Sequence, residues 1–277
     1  MVLASLREAL GLLRAMPVLW LTGLATGATG FTEILLQYHG GGFFAGRVAI
    51  LQLIILPFFL AGSLGAIKTG DGSLSAFLTN ARQGYFRVLL PLAVVMAAAI
   101  LTLFLLMIPA ILLTGEAMAA AGFVVPGVLI PFAFFTYFTD AAAVLEGRKV
   151  LDSIRRSAEF ILQHSLATLL FFLANLVILF GALFLALLAW SILLAEALAP
   201  LTMKNSTELA SITPADLAGL IGPSGVWIAA ALAFVLLTCC GTFVVAYRAC
   251  FFRRLSGDSS SAPPQGEYDP KGRWYRY

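Results

Sequence analysis

The sequence is poor in charged residues, and this scarcity decides the class of protein. Asp, Glu, Lys and Arg make up 11% of the 277 residues, and the mean hydropathy is +0.97. A soluble domain carries about 25% charged residues, which cover its surface. No water-soluble core could hide the 61% of residues that are hydrophobic. The composition therefore excludes a soluble globular domain and predicts a membrane protein.

Histidine and cysteine are also scarce, and their positions exclude several kinds of site. His39 and His164 are predicted to lie on opposite sides of the membrane, so they cannot share a metal ion. Cys239, Cys240 and Cys250 belong to one apolar segment without metal-like spacing to histidine, which is typical of small buried hydrophobes. The sequence shows no nucleophile-base pair and no phosphate loop. It therefore predicts no metal site, no cofactor and no catalytic residues, and the net charge of +3 does not favour a nucleic-acid partner.

Long apolar runs are what the sequence does contain. A helix needs roughly 20 apolar residues to cross a hydrocarbon core of about 30 Å. Six windows meet this demand: 16–37, 47–67, 88–113, 119–143, 166–194 and 225–249. The fold class is therefore predicted to be all-α, a polytopic membrane bundle of about six transmembrane helices.

The positions of Lys and Arg predict the orientation of this bundle. Fifteen of the 17 Lys and Arg residues fall on one side of the predicted spans, and only Arg47 and Lys204 fall on the other. Cytoplasmic connections are enriched in these residues. We therefore expect a multi-pass protein of the cell membrane with both termini in the cytoplasm.

Amphipathic helices are predicted at the cytoplasmic surface ahead of three pairs of spans. In the first, Leu3 and Leu10 belong to the apolar stripe, and Ser5 with Glu8 is interpreted as a capping box. The second is predicted to begin after Ser73, which caps it. The third is predicted to follow Gly147, ahead of the fifth span. A surface helix followed by two spans thus occurs three times.

This recurrence divides the predicted membrane domain, residues 1–252, into three units with one orientation: 1–68, 69–146 and 147–252. Residues 253–277 are polar and rich in Ser, Pro and Gly, which is typical of a disordered cytoplasmic tail. Such a tail either helps to set the topology or contacts lipid headgroups or a partner. Within the first unit, Gly23 and Gly27 have small-x-x-x-small spacing, so the first span is predicted to pack closely inside the bundle.

Polar residues inside the spans are the next candidates, because each is costly in lipid. Glu33 and Arg47 lie toward the outside and are predicted to form an ion pair, with a gate or a contact to a substrate as the alternative. Asp140 lies near the cytoplasmic end of the fourth span. Asn175 is predicted to make a hydrogen bond between helices. Asn205 opens a glycosylation sequon in the one long external connection.

Basic residues near Asp140 form the second group of candidates. Contacts to lipid headgroups or to a partner are predicted for five of them: Arg82, Arg148, Lys149, Arg155 and Arg156. Asp140 is expected to pair with Arg82, Arg148 or Lys149 at the interface.

Two intrahelical ion pairs are predicted on the third surface helix. Asp152 with Arg156 and Arg155 with Glu159 are each four residues apart, which places the partners on one helix face.

The junction between the fourth span and the third surface helix carries a resemblance to a known group. Its residues are Asp140, Val144, Glu146-Gly147, Ser153 and Arg155-Arg156-Ser157, and the opening SLREALGLLRAMPVLWLTGL adds to the likeness. In these features and in its layout the chain resembles the prokaryotic six-span proteins related to the glycerophosphodiester phosphodiesterase membrane domain. In that group hydrolysis belongs to a separate soluble domain, so the resemblance implies a membrane module and no catalytic residues.

Two classes of function remain. The first is a non-enzymatic module, either a transport component or a lipid-associated scaffold, whose partners are membrane lipids or a cytoplasmic or membrane protein. The second is an intramembrane enzyme that acts on a lipid-like substrate, and it predicts a wide cavity lined by Asp140 and Arg156. The composition and the absence of catalytic motifs favour the first.

Overall fold

Helices account for nearly all of the regular structure. The computed structural model describes residues 1–39, 42–203, 213–260, 266–268 and 274–276. The helices are α1 (Val2–Ala15), α2 (Trp20–Tyr38), α3 (Gly42–Thr69), α4 (Leu74–Thr114), α5 (Ala117–Thr136), α6 (Thr139–Leu145), α7 (Val150–Gln163), α8 (Ser165–Leu193), α9 (Ala195–Leu198) and α10 (Pro214–Ser260). Short 3-10 turns cover Pro17–Leu19 and Ala199–Met203, and strands β1 (Gly266–Tyr268) and β2 (Trp274–Arg276) pair antiparallel.

Six of the helical segments are long and apolar enough to cross a membrane, as the sequence predicts. They are Pro17–Tyr38, Phe43–Thr69, Leu74–Thr114, Ala117–Leu145, Ser165–Leu193 and Asp216–Gly257. The second surface helix and the third span are one continuous helix, α4, because nothing between them breaks the backbone. The chain is therefore a multi-pass α-helical membrane protein.

The start of α4 follows its predicted chemistry. The backbone N–H of Ala76 donates to Ser73 Oγ at 3.2 Å, which confirms Ser73 as the cap. Just before it, Asp71 Oδ1 accepts a hydrogen bond of 2.8 Å from the backbone N–H of Ser73. This bond and a second one from the Ser73 side chain stabilise the charged carboxylate, so the pKa of Asp71 lies below its ordinary value.

The buried core lies at one end of the bundle. It joins α1, the last turns of α3, the first turns of α4 and α8, all of α6 and α7, and the last turns of α10. We call this region the basic end. Its largest fully buried side chains include Phe77, Phe138, Phe160, Phe251 and Phe252. A small second cluster around Leu194, Ile221 and Val226 lies at the opposite end.

Helix α2 packs closely against α10 at Gly23 and Gly27. A Cβ built on Gly23 would lie 2.1 Å from the carbonyl oxygen of Thr238, and one on Gly27 would lie 2.7 Å from that of Phe234. No larger residue fits at either place. The prediction that the small residues of the first span face the bundle interior is confirmed.

The surface helix α1 differs from its predicted geometry. It begins at Val2 with Met1 as its N-cap, so the predicted capping box of Ser5 and Glu8 is wrong. Ser5 is fully buried, and its hydroxyl donates to the carbonyl oxygen of Met1 at 3.3 Å. The small side chains of Ser5 and Ala9 let α1 approach the bundle closely, because a bulky residue at either position would hold the helices apart. Leu3 faces outward instead.

The last helix continues beyond the predicted membrane domain. Helix α10 extends to Ser260, so the first eight residues of the segment predicted as a tail are helical. Residues 261–265, 269–273 and 277, on which the predicted disorder also depends, lie outside the described residues. The division into three repeated units stays a prediction.

Candidate functional site

A cleft of about 690 Å³ opens at the basic end, where α3, α6, α7 and α10 meet. Its lining consists of Lys68, Leu145, Glu146, Arg148, Arg156, Gln163, Phe252, Arg253, Ser256 and Gly257. Four of these residues are cations and one is a carboxylate. The cleft therefore carries an excess of three positive charges in a concave site of a size typical of small-molecule binding.

Glu146 organises two of the cations. Arg156 Nε lies 3.1 Å from Glu146 Oε1, and Arg148 Nε lies 3.0 Å from Glu146 Oε2. The Arg156 side chain is only 14% exposed, whereas that of Arg148 is 51% exposed. Gly147 adopts φ 71°, a left-handed conformation that turns the chain sharply between α6 and α7. This turn brings Glu146 and Arg148 together in front of α7.

Of the two ion pairs predicted on α7, one is present and the other is not. Arg155 Nε lies 2.7 Å from Glu159 Oε1 on the exposed face, which confirms that pair. Asp152 does not hold Arg156, because Arg156 points away from it into the cleft and binds Glu146. The Nη2 of Arg156 also lies 3.5 Å from Ser256 Oγ of α10.

The other two cations approach from helix ends. Lys68, in the last turn of α3, donates from Nζ to the carbonyl oxygen of Val144 at 2.9 Å. Arg253 of α10 pairs with Glu8 of α1, and its Nη1 lies 3.5 Å from the carbonyl oxygen of Ile67. Both cations thus bind carbonyl groups near helix C-termini, where positive charge is favourable. These contacts hold the cleft walls together.

Asp140 lies outside the cleft and pairs with a residue that sequence reasoning missed. Its carboxylate binds Arg248 of α10, and both side chains are 13% exposed. Arg248 Nη1 also donates to the carbonyl oxygen of Tyr137 at 3.1 Å. Asp140 Oδ1 accepts a further bond of 2.8 Å from the N–H of Ala141. The predicted partners of Asp140 were wrong, because 108 residues of chain separate it from Arg248 and no local pattern connects them.

The buried hydroxyl of Ser157 stabilises the interruption between helices α5 and α6, just before Asp140. Between α5 and α6, Ser157 Oγ accepts from the N–H of Phe138 at 3.0 Å and donates to the carbonyl oxygen of Phe135 at 2.8 Å. It therefore replaces helical hydrogen bonds that the break interrupts. Ser157, together with Ser153, forms the buried face of α7 and fixes that helix beneath the fourth span.

Three of the predicted headgroup contacts lie apart from the cleft. Arg82, Lys149 and Arg155 are exposed residues that do not line it. The structure brings Arg148 and Arg156 together there and adds Lys68 and Arg253. The sequence offered one signal for Arg253, the Arg253-Arg254 pair at the end of the last span, which was used only to predict orientation.

The polar candidates within the spans have other surroundings than predicted. Glu33 and Arg47 do not form an ion pair in the part of the chain that the structure describes, and Arg47 Cζ instead lies 3.5 Å from the centroid of the Phe43 ring. Asn175 donates from Nδ2 to the carbonyl oxygen of Phe171 in its own helix, at 2.9 Å. The predicted bond between helices is therefore wrong. Asn205 lies outside the described residues.

A second cavity, of about 850 Å³, lies at the opposite end between α2, α8 and α10. Its walls are mainly apolar, with polar groups from Gln37, Tyr38, Trp190 and Thr213. Unlike the first cleft, it has no charged residue among the lining residues that the structure describes. Among the described residues, no group of three or more His, Cys, Asp or Glu side chains lies close enough to hold a metal ion.

Comparison with known proteins places the chain in a family. Residues 1–255 match the family model described as Domain of unknown function (DUF7847). The chain belongs to this family. No curated protein and no protein of solved structure matches it at a significant level. The family match covers all of the helices except the last turn of α10, and the resemblance to the phosphodiesterase membrane-domain group stays a prediction.

Proposed function

We propose that the protein is a non-enzymatic, lipid-associated membrane scaffold that binds anionic lipid headgroups in the cleft of the basic end. The observation that carries this proposal is the convergence of Lys68, Arg148, Arg156 and Arg253 from separate parts of the chain on one cleft. Cations that face the same cavity repel one another, and Glu146 and Glu8 balance only part of that repulsion. A phosphate group that enters the cleft reduces the rest.

The surface helices support a lipid rather than a soluble ligand. Leu3 of α1 and Leu151 of α7 are each 70% exposed, and Leu162 of α7 is 67% exposed. Such leucines on helices whose other face packs on the bundle are typical of helices that lie in the interface of a membrane. Arg156 and Gln163 project from α7 into the cleft. The cleft therefore opens at the depth of the headgroups.

The charge distribution also supports an orientation with the cleft in the cytoplasm. The structure describes 13 Lys and Arg residues between residues 1 and 260, and among them Arg47 is the one exception to their placement at the basic end. Cytoplasmic leaflets commonly carry anionic lipids, and cytoplasmic segments carry excess Lys and Arg. The enzyme alternative required Asp140 and Arg156 to line one cavity. Asp140 instead binds Arg248 and does not line the cleft.

Neighbouring arginines of α7 provide the test. In nanodiscs of phosphatidylcholine with added phosphatidylglycerol, Arg156→Gln should weaken phosphatidylglycerol binding about tenfold, because one charge-assisted contact is lost. Arg155→Gln is the matched control, since Arg155 lies on the exposed face and pairs with Glu159. Native mass spectrometry of the full-length protein measures bound lipid, and a melting curve verifies that each variant is folded. Equal binding by wild type and folded Arg156→Gln would contradict the proposal.

A further inference from the structure

The number and arrangement of the cations in the cleft allow its ligand to be specified further. We propose that the cleft prefers a phosphomonoester headgroup, which carries two negative charges, over a phosphodiester headgroup, which carries one, and that this ligand displaces Glu146 from its arginines. This inference rests on the proposed function and names the ligand class of the same site. It follows from charge balance, from donor geometry and from the position of Glu146.

Charge balance favours a dianion. The lining has four cations and Glu146, and the nearby Glu8 pairs with both Arg253 and Arg254. When Glu8 and Arg254 are counted as well, the excess of three positive charges remains. A phosphodiester neutralises one of them, whereas a phosphomonoester above its second pKa of about 6 neutralises two. The second charge is bound in a partly enclosed site, where Coulomb interactions are stronger than in water.

Donor geometry favours a terminal phosphate. The donors come from the end of α3, the turn before α7, α7 itself and α10, so they surround the cleft instead of forming one row. A phosphomonoester presents three terminal oxygens as strong acceptors, and a phosphodiester presents two. Arg148 and Arg156 can bind two of the oxygens, and Lys68 and Ser256 also line the cleft.

Glu146 binds the same two arginines that this ligand would bind. Its two carboxylate oxygens accept from the Nε atoms of Arg148 and Arg156 at 3.0 and 3.1 Å. Carboxylate and phosphate oxygens bind guanidinium groups in the same planar geometry. A phosphate therefore competes with Glu146 for both arginines. The competition is stronger for a dianion, because it provides more acceptors and gains more from each cation.

The decisive measurement compares two lipids in the full-length protein. In phosphatidylcholine nanodiscs at about pH 8, where a phosphomonoester is dianionic, phosphatidate should bind about tenfold more tightly than phosphatidylglycerol. Equal affinities would overturn the preference and leave the proposed function standing. Failure of both lipids to bind would overturn both. Inorganic phosphate in the buffer should compete only weakly, and competition as strong as that of phosphatidate would show that the ligand is free phosphate.

A variant of Glu146 tests the displacement. Glu146→Gln keeps an acceptor for the arginines but removes the competing charge. The affinity for phosphatidate should therefore rise about fivefold, and the affinity for phosphatidylglycerol should rise less. Glu159→Gln is the control, because Glu159 pairs with Arg155 outside the cleft, and it should leave both affinities unchanged. A fall in phosphatidate affinity for folded Glu146→Gln would show that Glu146 positions the arginines and does not compete with the ligand.

Discussion

The basic end and the membrane-facing length of α8 are built in opposite ways. At the basic end, aromatic rings from several helices fill a buried core, as in the stacked pair Phe171 and Phe251, 4.3 Å apart between centroids. Higher along α8, none of the residues in its most apolar 18-residue window is buried. Lipid is as apolar as leucine, so apolar surface alone gives spans little reason to associate. Polar bonds and aromatic packing at one end therefore hold this bundle together.

The largest expected effect comes from breaking the Asp140–Arg248 pair. Arg248→Met leaves the Asp140 carboxylate without its partner in a mostly buried site, which should cost about 3 to 5 kcal/mol of unfolding free energy. Combining it with Asp140→Leu should restore most of the loss, because no unpaired charge remains. Chemical denaturation in detergent measures both changes. If the single variant is as stable as wild type, the pair does not hold α6 to α10.

A second experiment compares the two regions within one helix. Phe171 is fully buried at the basic end, whereas Phe180 of the same helix is 63% exposed. Phe171→Ala should therefore lower the free energy of unfolding by about 3 kcal/mol, since it leaves a cavity among aromatic rings. Phe180→Ala leaves no cavity inside the protein, because this side chain already faces outward. We therefore expect it to change the free energy of unfolding by less than about 0.5 kcal/mol. Similar losses in both variants would mean that the membrane-facing part of α8 is packed as tightly as its base.

The smallest expected effect concerns the turn before α4, which lies at the basic end but in water. The hydrogen bonds from Ser73 lower the pKa of Asp71, so its carboxylate stabilises the fold above the ordinary carboxyl pKa. This contribution is lost as the pH falls through the lowered pKa. Melting temperatures of wild type and Asp71→Asn should differ slightly at pH 7, and the difference should shrink as the pH falls below the ordinary carboxyl pKa of about 4. A difference that persists in acid would show that it does not come from the charge.

Local patterns in the sequence were sufficient for some of these features. The cap at Ser73 and the ion pair of Arg155 with Glu159 depend on spacings of three or four residues along one helix, and both were predicted correctly. The pair of Asp152 with Arg156 has the same spacing and was wrong. Arg156 has a competing partner, Glu146, which the turn at Gly147 places in front of it. A helical pattern does not contain that competitor.

The candidate site was predictable only in part for the same reason. Arg148 and Arg156 were expected to bind headgroups because they lie in a basic surface segment, and both line the cleft. Lys68 and Arg253 come from distant helices, and their contribution depends on how α3 and α10 end beside α7. Arg248 was counted only as a marker of orientation. Its role became visible once α10 had been placed beside Asp140.

The sequence by itself determined that this chain is a bundle of six spans. A run of about 20 apolar residues is a local feature of the sequence, and its length alone is enough for a helix to cross the hydrocarbon core. It also determined that α2 packs closely on a neighbouring helix through Gly23 and Gly27, since these residues have no side chain to hold the helices apart. The tertiary structure alone decided which charges meet. Among the ion pairs of described residues at the basic end, all but Arg155–Glu159 and Arg148–Glu146 join segments that are ten or more residues apart, and only the packing of the helices brings those charges within contact distance.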